Sequence, residues 1–282
     1  MPQRGAILAA MALLAASPAT AQPAPVAVMT SEVVRRWKAP EATQGVAVDA
    51  RHVYAVANSR IAKYDRVSGR KVSEWTGDKV RFPHINSCGI IARELVCASS
   101  NFPETPMMSA VEVFDPDRMV HLRTEALGQQ IGSLTWVDRR DGFWWAAFAN
   151  YDGKGGEPGR GHLYTQFVKF DDQWRRLEAW SFPASVTQRF SPMSSSGGAW
   201  GPDGLLYVTG HDHPELYVLR LPKGGSTLDH VATVKAAIEG QAIAFDKGLK
   251  KGGAPTLFGI SRLDREVVAL RLPPIDAVPS PQ

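Results

Sequence analysis

One spacing constrains what this chain can fold into more than any other feature. Five segments share an apolar, alternating ending: Ile61-Ala-Lys-Tyr-Asp65, Val111-Glu-Val-Phe-Asp115, Phe167-Val-Lys-Phe-Asp171, Leu216-Tyr-Val-Leu-Arg220 and Val267-Val-Ala-Leu-Arg271. Their matching residues Tyr64, Phe114, Phe170, Leu219 and Leu270 recur at intervals of 50, 56, 49 and 51. Upstream of each lies a second short run (52–58, 94–100, 143–150, 205–211, 256–262), and before that a third (45–49, 88–92, 134–138, 198–201, 242–246). Asp, Gly, Asn and Pro punctuate the gaps, as β-turns require, and no helical period of 3.6 competes over a useful length. Further runs at 71–75, 121–126, 176–180 and 228–234 complete four strands per unit. A four-stranded unit recurring about every 50 residues is a propeller blade.

The fifth unit lacks its fourth strand, because the chain turns polar and proline-rich after Leu272. Residues 33–37 resemble the strands ending at Trp75 and Trp180 and precede the first full unit. Pairing them with the last unit closes the ring and removes two exposed sheet edges. The predicted fold is therefore all-β: a single β-propeller over 32–275, with five four-stranded blades closed by an N-terminal strand. Six blades is the alternative, should a long insertion conceal a degenerate blade. A closed ring needs no partner to hide its edges, so a monomer is expected.

Composition excludes several classes. With 44% hydrophobic residues and a net charge of only +4, the chain can bury a core and is not disordered overall. Lys and Arg are scattered between acids with no basic run and interleaved aromatics, so no nucleic-acid partner is expected. At the N-terminus a basic start, a small apolar run over 5–16, Pro18 and Ala19-Thr20-Ala21 read as a signal peptide over 1–21, followed by a linker over 22–31. The apolar run is too short to remain as a membrane span. The mature chain is then periplasmic or secreted, with a polar tail over 276–282. In an oxidising compartment Cys88 and Cys97, set around a turn at Ala92-Arg93, face each other across a hairpin. They read as a structural disulfide in preference to two buried thiols.

Stacking the units aligns Gln44, Ser87, Ser133, Gly198 and Gln241 at the entrance of the central channel, with Asn86, Glu239 and His84 nearby. The ends of the second strands add Asn58, Ser100, Asn150, His211 and Arg262 on the same face. The long connections 101–109, 150–162 and 184–197 belong to that face, which is where rigid blades would position binding loops. Phe102, Pro103, Tyr151 and Phe190 supply apolar walls, and the Gly-rich 152–160 segment reads as a flap rather than a phosphate cradle. Part of this polar lining serves only to hydrate backbone.

Within Gly210-His211-Asp212-His213, His211 can act as a general base oriented by Asp212. His84 is the second candidate for proton transfer. The plainer reading of either is a hydrogen-bonded loop histidine. Arg262 suits a carboxylate or oxyanion, or else an ion pair with Glu239, which is itself a further catalytic candidate for proton transfer. Gln44, Asn58, Asn86, Asn150, Tyr151 and Gln241 complete the expected substrate contacts. Glu239, Asn86, Asn150 and Asp212 are the oxygen donors a calcium ion would take. Zinc is the weaker reading, with neither a free cysteine nor a close His pair at helical spacing, and no Gly-x-Ser-x-Gly elbow is present. Ser194-Ser-Ser-Gly-Gly198 reads as close packing beside the channel.

Glu239-Gly-Gln-Ala-Ile-Ala-Phe-Asp246 is similar to the blade openings of exported bacterial propellers of the lactonase, cycloisomerase and gluconolactonase type. That resemblance implies a hydrolase or isomerase acting on a lactone or small carboxylate at the central mouth, and in gluconolactonase-like members a calcium ion. The chain departs from them in blade count and in the order of the calcium ligands. A non-catalytic platform for a ligand, glycan or envelope protein is the other reading, because fold does not dictate chemistry. If the leader is processed as expected, intact-mass analysis of exported protein gives a chain starting at Gln22; a retained Met1 in the exported fraction contradicts it.

Overall fold

The computed structural model describes residues 26–247 and 255–275; the expected signal peptide and the polar tail lie outside the described residues. Five sheets form five blades. The first contains Gly45–Val48, His52–Ala57, Arg60–Asp65 and Lys71–Thr76, and the second His84–Ile91, Glu94–Ser100, Met108–Asp115 and Val120–Gln129. The third contains Ser133–Arg140, Phe143–Ala149, Gln166–Phe170 and Arg176–Ser181. The fourth contains Gly197–Trp200, Leu206–Thr209, Glu215–Arg220 and Asp229–Lys235. The fifth joins Ala244–Phe245, Thr256–Ser261 and Glu266–Arg271 to the N-terminal strand Glu32–Lys38. Innermost strands of successive blades touch, and that of the fifth touches that of the first, so the ring is closed.

The burial pattern explains why the strands read as they do. Second and third strands are sandwiched between neighbouring blades and are almost continuously buried, as in Val53–Val56 and Leu216–Leu219. Outer strands alternate, as in Lys71–Thr76. Aromatics fill the wedge between blades three and four, where Trp145 stacks on Phe167 with ring centres 5.3 Å apart and meets Trp200 edge-on at 5.2 Å. The repeated aspartates after the third strands are turn formers. Asp65, Asp115 and Asp171 each accept backbone N–H groups two to four residues ahead, and those of Ser68, Arg118 and Arg175 hold the three carboxyls below the usual range.

Ring closure is antiparallel and in the expected place, with Trp37 opposite Val267. Trp37 is buried, stacks on Phe258 of the fifth blade at 5.7 Å and donates from Nε1 to the Arg66 carbonyl of the first blade at 3.0 Å. The linker expected over 22–31 ends differently. Ala27–Thr30 is a strand, pairing parallel with Asp229–Lys235 at the outer edge of blade four. One short segment thus spans two blades before the repeat begins. Cys88 and Cys97 form the expected disulfide at opposed positions, with Cα atoms 4.0 Å apart. Ala92 and Arg93 make the two-residue turn between them, both at positive φ.

Two local features differ from expectation. The 184–197 connection contains a helix, Ala184–Phe190, whose Val186, Thr187 and Phe190 are buried. The first strands of blades two and three carry register shifts, between Ile85 and Cys88 and between Leu134 and Trp136, which change the side chains facing the channel. Trp37→Ala removes the anchor of the closing strand and is expected to cost about 3–5 kcal/mol. Chemical denaturation measures this, and a loss below about 1 kcal/mol would mean that closure does not rest on this side chain.

Candidate functional site

A cavity of about 260 Å³ opens at the channel end that carries the long connections. Gln44, Asn58, His84, Asn86, His211, Gln241 and Arg262 line it, joined by Phe102, Pro103 and Tyr151. Thr135, Lys154, Met193 and Ser196 line it as well, and sequence reasoning missed them. Thr135 was hidden by the bulge in its strand, and Lys154 is a single lysine inside a Gly-rich flap. Ser87 and Gly198 do not belong to this mouth; both line a separate cavity of about 210 Å³ rimmed by Asp49, Asp138 and Asp246. Ser133 is buried and hydrogen-bonded to Tyr151. Phe190, expected as a wall, is buried in the core against Phe182 and Tyr217.

The flap reaches the mouth because its polar ends are tied down. Asp152 accepts from the backbone and ring of His162, and from Ser191 Oγ at 3.2 Å. Glu157 accepts the Met107 N–H at 2.9 Å and pairs with Arg160. Gly155, at φ +80°, lies so close to the Phe102 ring that any side chain there would collide with it. Phe102 in turn packs between His84 and Tyr151, with ring centres at 5.2 and 5.0 Å. Lys154 rides on this scaffold.

The expected acid–base groups divide into three environments. His84 is pushed down to about 4, because burial disfavours its charged form more than its hydrogen bond to Asn86 favours it. It is neutral at ordinary pH. Burial pushes the Tyr151 phenol far up, so it too stays protonated. His211 is half-buried between two charged partners, with Nδ1 2.5 Å from Asp212 Oδ1 and Nε2 3.3 Å from Arg262 Nη1. A guanidinium only donates and a carboxylate only accepts. The ring proton therefore sits on Nδ1 and the lone pair on Nε2.

Glu239 does not pair with the Arg262 side chain. Its Oε2 accepts the backbone N–H groups of Arg262 and Leu263 at 2.5 and 3.0 Å, and Oε1 faces Ser261 Oγ at 3.4 Å. The carboxylate thus holds the turn from which Arg262 projects. Asn150 is fully buried, with Nδ2 spent on the carbonyls of Ile131 and Tyr164 and Oδ1 left without a partner. The four donors expected for calcium are dispersed. Asn86 lines the mouth, Glu239 and Asp212 line an adjoining groove, and Asn150 lines neither. Among the described residues no three His, Cys, Asp or Glu side chains are spaced to hold a metal ion. Dispersed in this way, the four donors do not fit a calcium ion.

The charge balance of the mouth is one-sided. Its lining contains Lys154, Arg262, four side-chain amides and no carboxylate. Neither cation is within ion-pair distance of a carboxylate among the described residues. No protein-family model matches the chain, and no curated protein matches it. Solved structures similar in shape include a PQQ-bound aldose sugar dehydrogenase from Streptomyces coelicolor (12% identity, TM-score 0.49, covering 90% of this chain and 84% of that one). Hydrazine synthase from Kuenenia stuttgartiensis is similar at 10% identity and TM-score 0.46, covering 82% and 83%. The WD40 domain of Toxoplasma gondii coronin is similar at 13% and 0.39, covering 85% and 55%. Likenesses at this level do not bear on function.

The His84 environment has a definite pH consequence. An unfolded histidine titrates near 6.5, so between that value and about 4 the folded chain binds fewer protons than the unfolded one. Its contribution to stability is complete above pH ~6.5 and is lost as pH falls toward the folded value. NMR titration should give His84 a midpoint near 4, and Phe102→Ala, which opens the burial, should move it upward. A wild-type midpoint near 6.5 would overturn this environment.

Proposed function

We propose that this chain is an exported propeller that binds a small polar carboxylate, or a lactone that opens to one, at the central mouth. We assign its chemistry to the lactonase and cycloisomerase type. The observation that carries the reading is the pair of uncompensated cations, Arg262 and Lys154, in a lining with four amides and no carboxylate. An anion placed there gains charge-assisted hydrogen bonds without breaking an internal ion pair, giving up only the long contact between Arg262 and His211, and the amides suit hydroxyl groups along its chain. Phe102, Pro103 and Tyr151 supply an apolar side. The disulfide is in keeping with an oxidising compartment.

For proton transfer the supported pair is His211 with Asp212 behind it. In lactone opening His211 Nε2 takes a proton from water as its oxygen bonds to the carbonyl carbon. The ring C–O bond breaks, and the leaving alkoxide receives the proton back. Arg262 steadies the negative oxygen meanwhile. His84, uncharged, serves as a hydrogen-bonding wall group rather than an acid. Glu239 is a positioning residue for Arg262.

The second reading, a binding platform without chemistry, is favoured by one observation: the lone pair of His211 is covered by Arg262. Both readings share the anion site. Calorimetry at low salt with gluconate, citrate and malonate should show binding, and glucose should show none. Arg262→Met and Lys154→Met should each weaken binding about tenfold or more, and added salt should weaken it further. Equal affinity for glucose and gluconate, or variants that bind like wild type, would sink the anion site. Turnover of a lactone that His211→Gln abolishes would separate the enzyme from the platform.

A further inference from the structure

The contact that covers His211 has a consequence for how the mouth would work. Arg262 Nη1 lies 3.3 Å from His211 Nε2, the nitrogen that must accept any proton the ring takes up. On the other side Asp212 lies 2.5 Å from Nδ1 and fixes the tautomer in the form a general base requires. The ring is therefore oriented and polarised as a base while its lone pair is occupied by a cation. While a guanidinium N–H occupies that lone pair, the position a transferred proton would take is filled.

Arg262 is held there weakly. The contact is long for a hydrogen bond, its acceptor is neutral, and it uses one of five guanidinium donors. No carboxylate of the described residues competes for that guanidinium, and Glu239 grips only the backbone beneath it. His211 and Arg262 both line the mouth. Beyond Asp212 and Arg262, the ionisable groups around the ring are Lys154 and His84 in the mouth and Glu239 and Arg265 in the adjoining groove. Of these only Glu239 has a carboxylate acceptor for a guanidinium, and its oxygens are taken up by the backbone N–H groups of Arg262 and Leu263 and by Ser261 Oγ.

We infer that Arg262 is a ligand-released mask on His211: an organic anion entering the mouth draws the guanidinium onto its carboxylate and so uncovers the Nε2 lone pair. The exchange runs downhill because a carboxylate–guanidinium pair is bidentate and charge-assisted, whereas the bond it replaces is neither. The inference rests on the anion site proposed above. It adds that binding and activation are the same event, with the unliganded protein holding its base inert.

The test is ¹⁵N NMR of protein labelled at histidine, with His211 assigned by its absence in His211→Gln. In the free protein Nε2 should resonate as an accepting, hydrogen-bonded nitrogen, with the proton on Nδ1. In Arg262→Met it should move downfield to the position of an uncovered lone pair. Titration of wild type with gluconate, citrate or malonate, whichever binds by calorimetry, should produce the same movement along the binding isotherm. Anion binding without any movement of Nε2 would overturn the mask and leave the anion site standing. A free-protein resonance identical in wild type and Arg262→Met would also overturn it. If none of the three anions binds, the reading beneath it falls and the mask falls with it. Should Arg262→Met fail to fold, the wild-type titration alone decides.

Discussion

Where the first strands of blades one and four meet residues 241–242 of the fifth, backbone approaches too closely for a side chain at Gly45 or Gly197, and the mouth is arranged around that contact. A Cβ on Gly45 would collide with Ala242 of the fifth blade, and one on Gly197 with the backbone of Gln241 and Ala242. Two separate cavities lie near these contacts, one on the long-loop side and another beside Ser87 and Gly198. Gln44, Asn86 and Gln241 lie within one or two residues of that contact or belong to it. That is how Gln44, Asn86 and Gln241, from three different blades, come to line one small space.

The mouth beside that contact is set apart by two cations and no carboxylate in one lining. Several cations elsewhere in the protein are matched. Lys71 bridges Glu41 and Glu74, Arg123 grips Glu94 through two nitrogens, and Arg66 meets Asp246. Lys154 and Arg262 have no such carboxylate among the described residues. Acids near Arg262 are engaged otherwise: Glu239 by backbone N–H groups, Asp212 by His211. An arginine raised on a carboxylate-bound turn yet left without a carboxylate at its head is an arrangement that suits an external acceptor.

How far the chain could be read from its residues depended on periodicity. Strands repeat every two residues and blades about every fifty, so the five-bladed ring, the closing strand around Trp37 and the Cys88–Cys97 pair were all visible. Members of the mouth at the ends of second strands, such as Asn58, His211 and Arg262, followed from the same alignment. What periodicity cannot carry is a local change of frame. A bulge before Cys88 turned Ser87 toward the other cavity, and one after Leu134 placed Thr135 in the mouth where Ser133 was expected. The helix Ala184–Phe190 drew Phe190 into the core. Hydrogen bonding was equally invisible: nothing in a linear chain says that Asn150 spends its nitrogen on two carbonyls, or that Glu239 prefers the backbone of Arg262 to its side chain.

Closure by Glu32–Lys38 also sets an order of events. The partner of that strand, Glu266–Arg271, lies more than two hundred residues downstream. During synthesis the earliest strand must wait, unpaired, until nearly the whole repeat has been made. Until then two open edges face solvent, and each is a template for another chain. Parallel docking of Ala27–Thr30 on Asp229–Lys235 becomes available one blade sooner, and it parks the waiting strand beside its future partner. The short strand on blade four can thus serve as a staging post, converting the final long-range search into a local step.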